Sequence, residues 1–248
     1  MQTQSDNGFG FWSKPLFLIA MLFLWSAILV FFRTYPAIDM AVANFFYHEV
    51  ACSANAATQP CFGFPVAMNS IMATIRNILH RAPVFIGVGL IILLIYSYYK
   101  GKRAVDSAFR KQSLVLANLI IGTLLVVNSG FKENFGRVRP RDIIDFGGKS
   151  DFTLAGDFIG QCVSNCSFPS GEAAAGGWLL CCGLLFAPRW RKPAYIALFI
   201  LGAAMALLRV TFGAHFISDV LLGYITTLIT CSILAIAFER IQKWRMSR

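Results

Sequence analysis

Apolar residues dominate six stretches of the chain, at about residues 15–33, 82–99, 113–131, 172–187, 193–211 and 216–238. Each approaches the ~20 residues that an α-helix needs to cross ~30 Å of hydrocarbon, the shorter ones drawing on interfacial residues at their ends. The pattern predicts an all-α fold, a polytopic membrane helix bundle with about six transmembrane helices and both termini on one side. The first run lacks a basic leading segment and a small-residue cleavage site, so it reads as a retained helix and not a signal peptide. Between the first two runs, Ile71, Ile75, Ile78 and Leu79 recur at helical spacing beside Ser70, Arg76 and Asn77. That spacing predicts an interfacial amphipathic helix, and a helix packed on the bundle would give the same pattern. No repeat or linker divides the sequence, so residues 1–248 are expected to form one integral membrane domain.

Composition agrees with a membrane class: 57% of residues are hydrophobic and 14% charged, too few charges to cover a soluble domain of this length. The net charge of +10 forms neither a stripe nor a tail, so no nucleic-acid partner is expected. Most cations sit in short groups between apolar runs: Lys100, Lys102, Arg103, Arg110 and Lys111; Arg189, Arg191 and Lys192; Arg240, Lys243, Arg245 and Arg248. These are the flanks of membrane helices on a cytoplasmic side, which places both termini and the 100–112 and 188–192 loops there. The opposite side should then be poor in cations, yet it holds Lys132, Arg137, Arg139, Arg141, Lys149 and Arg209. An anionic substrate is the natural cause.

The cysteines divide in the same way. Cys181, Cys182 and Cys231 fall inside apolar runs and read as small packing residues. Cys52 and Cys61 lie in one outer loop and Cys162 and Cys166 in the other, two local pairs that suggest disulfides in an oxidising compartment. Zinc is the competing reading for these four. His48 lies near Cys52 but no histidine flanks the second pair, so no metal is expected.

Three outer segments carry the chemistry. The first runs from Lys132 to Arg139-Pro140, the second is Pro169-Ser170-Gly171-Glu172, and the third runs from Arg209 to His215 and Asp219. His215 and Asp219 are four apart at the start of the last apolar run, so on a helix they share a face. A carboxylate there can hold one imidazole nitrogen and leave the other free to attack. An ionisable pair inside a spanning helix is expensive without a function. Lys132, Arg139 and Arg209 can neutralise the equatorial oxygens of a phosphoryl group. Arg137 and Arg141 read instead as interfacial anchors. Ser170 suits an N-cap, and the free N–H groups after it suit an anion.

Together these motifs (Lys-x6-Arg-Pro, Pro-Ser-Gly and Arg-x5-His-x3-Asp) resemble the type 2 phosphatidic acid phosphatase family, which also contains glucose-6-phosphatases and vanadium haloperoxidases. The resemblance implies a phosphohistidine on His215 oriented by Asp219, a phosphate site of Lys132, Arg139, Ser170, Gly171 and Arg209, and no cofactor or metal. It departs from the family at Leu208, where a serine is usual, and at Glu172, where the family has the histidine that serves as general acid. Glu172 would donate a proton only with a raised pKa, and its surroundings pull both ways.

The stretch Asn165-Cys166-Ser167-Phe168-Pro169-Ser170-Gly171-Glu172 is most similar to the lipid A phosphatases of that family, the 4′-phosphatase type. This implies a bacterial inner-membrane enzyme that hydrolyses a phosphomonoester on lipid A at the periplasmic face. The partner expected is therefore a membrane lipid, with no obligatory protein partner. Undecaprenyl diphosphate and phosphatidylglycerol phosphate are alternative substrates, the diphosphate being the better leaving group for an enzyme with a compromised acid. A lipid phosphotransferase, a non-catalytic lipid-binding protein and a vanadate-dependent peroxidase are the readings from other classes.

Overall fold

The structure, a computed structural model, describes residues 8–51, 61–102 and 106–247. Helix α1 (Pro15–Thr34) is followed by the short α2 (Ala37–Phe45), a two-stranded hairpin of β1 (His48–Val50) and β2 (Cys61–Gly63), and one turn of α3 (Pro65–Met68). The hairpin is antiparallel with Glu49 opposite Phe62. Then come α4 (Ser70–Tyr99), α5 (Ser107–Asn134), α6 (Gly171–Cys181, extended by a 3-10 turn to Leu185), α7 (Pro188–Thr211) and α8 (Ile217–Met246). Five of these, α1, α4, α5, α7 and α8, are long and apolar enough to span a membrane, and α6 is a shorter apolar helix.

The short helix is the hub. Its sequence Ala173-Ala-Ala-Gly-Gly-Trp-Leu is buried throughout, because small side chains let neighbouring backbones close in, the usual basis of helix association in lipid. A Cβ on Gly176 would lie 2.6 Å from the Gly202 carbonyl oxygen of α7, and one on Gly177 would lie 2.4 Å from that of Tyr224 in α8. Interhelical hydrogen bonds complete the packing: the Trp178 indole donates to the Val115 carbonyl at 2.8 Å, and the Thr227 hydroxyl to the Ala174 carbonyl at 2.9 Å. Helix α1 lies outside this hub, only 6% of its most apolar window being buried, against 61% for α8. It is tied on by the Trp25 indole, 3.0 Å from the Thr226 hydroxyl.

Residues 70–81 do not form a separate interfacial helix. They are the first turns of α4, which runs unbroken through Pro83 for 30 residues. At 1.5 Å per residue that is ~45 Å, longer than the ~30 Å hydrocarbon core, so one end projects beyond it and carries Arg76 and His80 toward the bundle's end. The second half of α5 is π-helical from Leu119 to Phe131, a form often met beside functional sites.

The same end of the bundle is roofed by residues 135–170 and the α2–α3 region. Ala43, Phe64, Val138, Ile143, Phe146 and Phe216 form its own apolar cluster. Cys162 and Cys166 are joined by a disulfide with a Cα–Cα distance of 5.6 Å. Cys61 is disulfide-bonded as well, while Cys52 lies outside the described residues. Cys181, Cys182 and Cys231 are free and buried.

Candidate active site

His215 sits in the turn between α7 and α8, 2% exposed, with its Nδ1 2.7 Å from the Ser167 carbonyl oxygen. A carbonyl only accepts, so Nδ1 carries the proton and Nε2 keeps its lone pair. Burial, opposed by Asp219 and assisted by Arg209, lowers the His215 pKa to about 4. The ring is therefore neutral at physiological pH, the form that a nucleophile requires.

Asp219 lies on the first turn of α8, whereas His215 precedes that helix, so the two do not share the helical face that their spacing predicts. Its Oδ2 is 3.8 Å from His215 Nδ1, too far for a hydrogen bond. It accepts instead from the Ser167 hydroxyl at 2.6 Å and the Phe216 N–H at 3.0 Å. Its hold on the imidazole thus runs through Ser167, whose hydroxyl also lies 3.3 Å from Nδ1.

Arg137 is not an interfacial anchor. It is fully buried beneath the site, paired with Asp219 and, at 2.7 Å, with Asp39 of α2. It also donates to the Ser218 hydroxyl at 2.7 Å and the Thr153 carbonyl at 3.0 Å, and stacks 4.4 Å from the Phe216 ring. Burial works against the Arg137 charge, but Asp219 and Asp39 together raise its pKa. Burial likewise pushes Asp39 up, against the pull of Arg137. An acid amid the apolar residues of α2 needs a partner, and that was the available sequence signal for Asp39. Arg141 does remain at the surface, 50% exposed.

Above this network lies a cavity of about 610 Å³. Lys132, Arg139, Gly171, Glu172, Arg209 and His215 line its polar end, so three separated segments of sequence meet there. Arg139 is held by the Asn165 carbonyl and side chain at 2.8 and 3.0 Å. Burial and then the Arg141 charge lower its pKa, against the pull of Asp142 and Glu172. Ser170 does not line the cavity. Its hydroxyl caps α6, accepting from the Ala173 N–H at 3.3 Å. Gly171 packs closely on a side chain, a Cβ there lying 2.3 Å from Asn128 Oδ1, which would have to shift.

Two residues that sequence reasoning left outside the site join it from α4. Arg76 donates to Glu172 Oε1, and His80 Nδ1 lies 3.2 Å from the same oxygen, which Arg209 approaches at 3.5 Å. Glu172 therefore stands in the site as a carboxylate paired with cations. The Nε atoms of Arg76 and Arg209 are buried without a hydrogen-bond partner. From this polar end the cavity continues between α4 and α5 along Val84, Val88, Ile91, Leu116, Ile120 and Leu124. The arrangement is a cationic pocket with a neutral histidine at the head of an apolar groove. A further cavity of about 320 Å³ at the opposite end of the bundle has no histidine or carboxylate among its lining residues.

Comparison with known proteins gives the chain a family. A family model described as the PAP2 superfamily matches residues 113–243. A protein of Rhizobium leguminosarum named lipid A 4′-phosphatase is 37% identical over 231 residues, 92% of this chain and 98% of that protein. One of the same name from Francisella tularensis subsp. novicida (strain U112) is 31% identical over 205 residues, 82% of this chain and 85% of it. Among solved structures, the transmembrane PAP2 type phosphatidylglycerolphosphate phosphatase of Bacillus subtilis matches 90% of this chain and 96% of its own. The TM-score there is 0.53 and the identity 20%, a likeness of fold.

Proposed function

The chain belongs to the PAP2 superfamily, and from that premise we propose that it is a membrane lipid phosphatase that removes the 4′ phosphate of lipid A. In this reading the reaction runs at the periplasmic face, through a phosphohistidine on His215 and without a metal ion. The observation that carries it is a neutral, pre-oriented His215 beside Lys132, Arg139 and Arg209 at the head of a groove that is apolar for the rest of its length. A phosphate fits the head and an acyl chain fits the groove.

The steps follow from the geometry. The cations bind the phosphoryl oxygens, Arg through paired N–H groups and Lys as a point charge. Nε2 of His215 attacks phosphorus opposite the leaving oxygen, forming the P–N bond as the P–O bond to the sugar breaks. The positive charge that develops on the imidazole is stabilised by the Ser167 carbonyl and, through Ser167, by Asp219. Water then attacks phosphorus, the P–N bond breaks, and inorganic phosphate leaves. The surplus of fixed positive charge supplies the stabilisation that a metal ion would otherwise give.

The relatives named lipid A 4′-phosphatase, matched over most of the chain, support the substrate. The periplasmic assignment is supported by the disulfide-bonded cysteines at the site end and by the basic loops at the other. The test is phosphate release by purified protein in EDTA from bis-phosphorylated lipid A, undecaprenyl diphosphate and phosphatidylglycerol phosphate. Lipid A should lose one phosphate, located at the 4′ position by mass spectrometry, and His215→Ala should release none. Preference for the diphosphate would move the protein to carrier-lipid recycling. Activity that EDTA abolishes would remove the metal-free mechanism.

A further inference from the structure

A sugar alkoxide is a poor leaving group and needs a proton as the P–O bond breaks. The ionisable groups lining the cavity are Arg76, His80, Lys132, Arg139, Glu172, Arg209 and His215. His215 is the nucleophile. Lys132, Arg139 and Arg209 serve phosphate oxygens, and guanidinium groups do not release protons at any working pH. Glu172 is held as an anion by Arg76 and Arg209. That leaves His80, from a helix that none of the three motif segments includes.

We propose that His80 is the general acid for the leaving group and that Glu172 positions it. Glu172 Oε1 sits 3.2 Å from His80 Nδ1, an ion-pair distance at which a carboxylate draws that side of the ring toward itself and turns Nε2 away from it. Nε2 is then the nitrogen that carries the transferable proton. The His80 side chain is 55% exposed while Glu172 is 13% exposed, so the acid is reachable by a ligand and its anchor is sheltered. In the first step the P–O bond breaks, the alkoxide takes the Nε2 proton of the imidazolium, and the sugar leaves as an alcohol with His80 neutral. In the second step the neutral ring accepts a proton from the attacking water, which restores the imidazolium as the P–N bond breaks.

This rests on the phosphatase reading above, and one experiment separates the two. Wild type, His80→Gln, Glu172→Gln and His215→Ala are compared on bis-phosphorylated lipid A and on 4-nitrophenyl phosphate, whose nitrophenolate leaves without a proton. On lipid A, His80→Gln should lose about 10²- to 10⁴-fold, the usual weight of general acid catalysis. The first-turnover burst of nitrophenolate should be slowed far less, and Glu172→Gln should show the same selectivity. Equal losses of His80→Gln on both substrates, or no loss on lipid A, would overturn the role. A wild type as inert as His215→Ala on both would instead overturn the phosphatase reading itself.

Discussion

Two clusters of charge lie one above the other in this protein, and their balance differs. In the lower one, Arg137 is buried against Asp39 and Asp219, and its remaining N–H groups meet Ser218 and Thr153. In the upper one, Arg76, Lys132, Arg139 and Arg209 face a single carboxylate, Glu172, and two guanidinium Nε atoms have no partner. The lower cluster is complete, so it holds elements together and keeps Asp219 in place behind Ser167. The upper one carries excess positive charge in a cavity, which in the proposed function an anionic ligand completes. The same residue type is thus a structural bolt at position 137 and, in that proposal, part of a binding site at 139 and 209.

Replacement of one arginine from each cluster should separate stability from activity. Arg137→Leu leaves two buried carboxylates uncompensated and should destabilise the fold by about 3–5 kcal/mol, read as a large fall in apparent Tm in detergent. Arg209→Gln leaves Glu172 paired with Arg76 and His80, so Tm should move little. Phosphate release should nonetheless fall by about 10²- to 10³-fold, the usual weight of one oxyanion donor. If Arg209→Gln unfolded the protein and Arg137→Leu did not, the distinction would be reversed.

The boundary between the clusters can be probed by pH. His215 has a folded pKa of about 4, below the ordinary 6.5, so between those values the unfolded chain binds the extra proton. Its contribution to stability is present above pH ~6.5 and falls away as the pH drops toward 4, by about 3 kcal/mol in all. Thermal unfolding of wild type against His215→Gln across that range should show a slope that the variant lacks. A smaller effect is expected at the floor of the upper cluster. Gly171→Ala forces a methyl group onto Asn128 and should cost about 1–3 kcal/mol of overpacking. Asn128→Ala in the same chain should relieve it, as activity assays and Tm would both record.

Much of this was legible in the chain. The all-α class and five long helices follow from apolar runs long enough to cross hydrocarbon, while α6 is shorter than a span; the spacing brought Asp219 near His215, but not onto one helix with it. Lys132, Arg139 and Arg209 were legible as cations on a side that should lack them. Arg137 was misread because its neighbours in sequence resemble those of Arg139. Its partner Asp39 lies 98 residues away, and nothing local distinguishes an arginine bound for a buried acid from one bound for a headgroup. The 70–81 segment stayed open between an interfacial helix and one packed on the bundle, because its periodicity shows an apolar face but not whether the helix continues through Pro83.

The sequence by itself determined what each stretch must do: which segments enter the membrane, which end gathers charge, and which histidine has a carboxylate one turn away. Those properties depend on hydrophobicity and helical periodicity, which act over a few residues. Only the tertiary structure decided which helices are neighbours. It set Ser167 between His215 and Asp219, brought Arg76 and His80 of α4 to Glu172, and sealed Arg137 under the site. Those pairings depend on how closely α6 lets α7 and α8 approach, a matter of glycine contacts such as Gly176 on Gly202, and no local pattern encodes the partner.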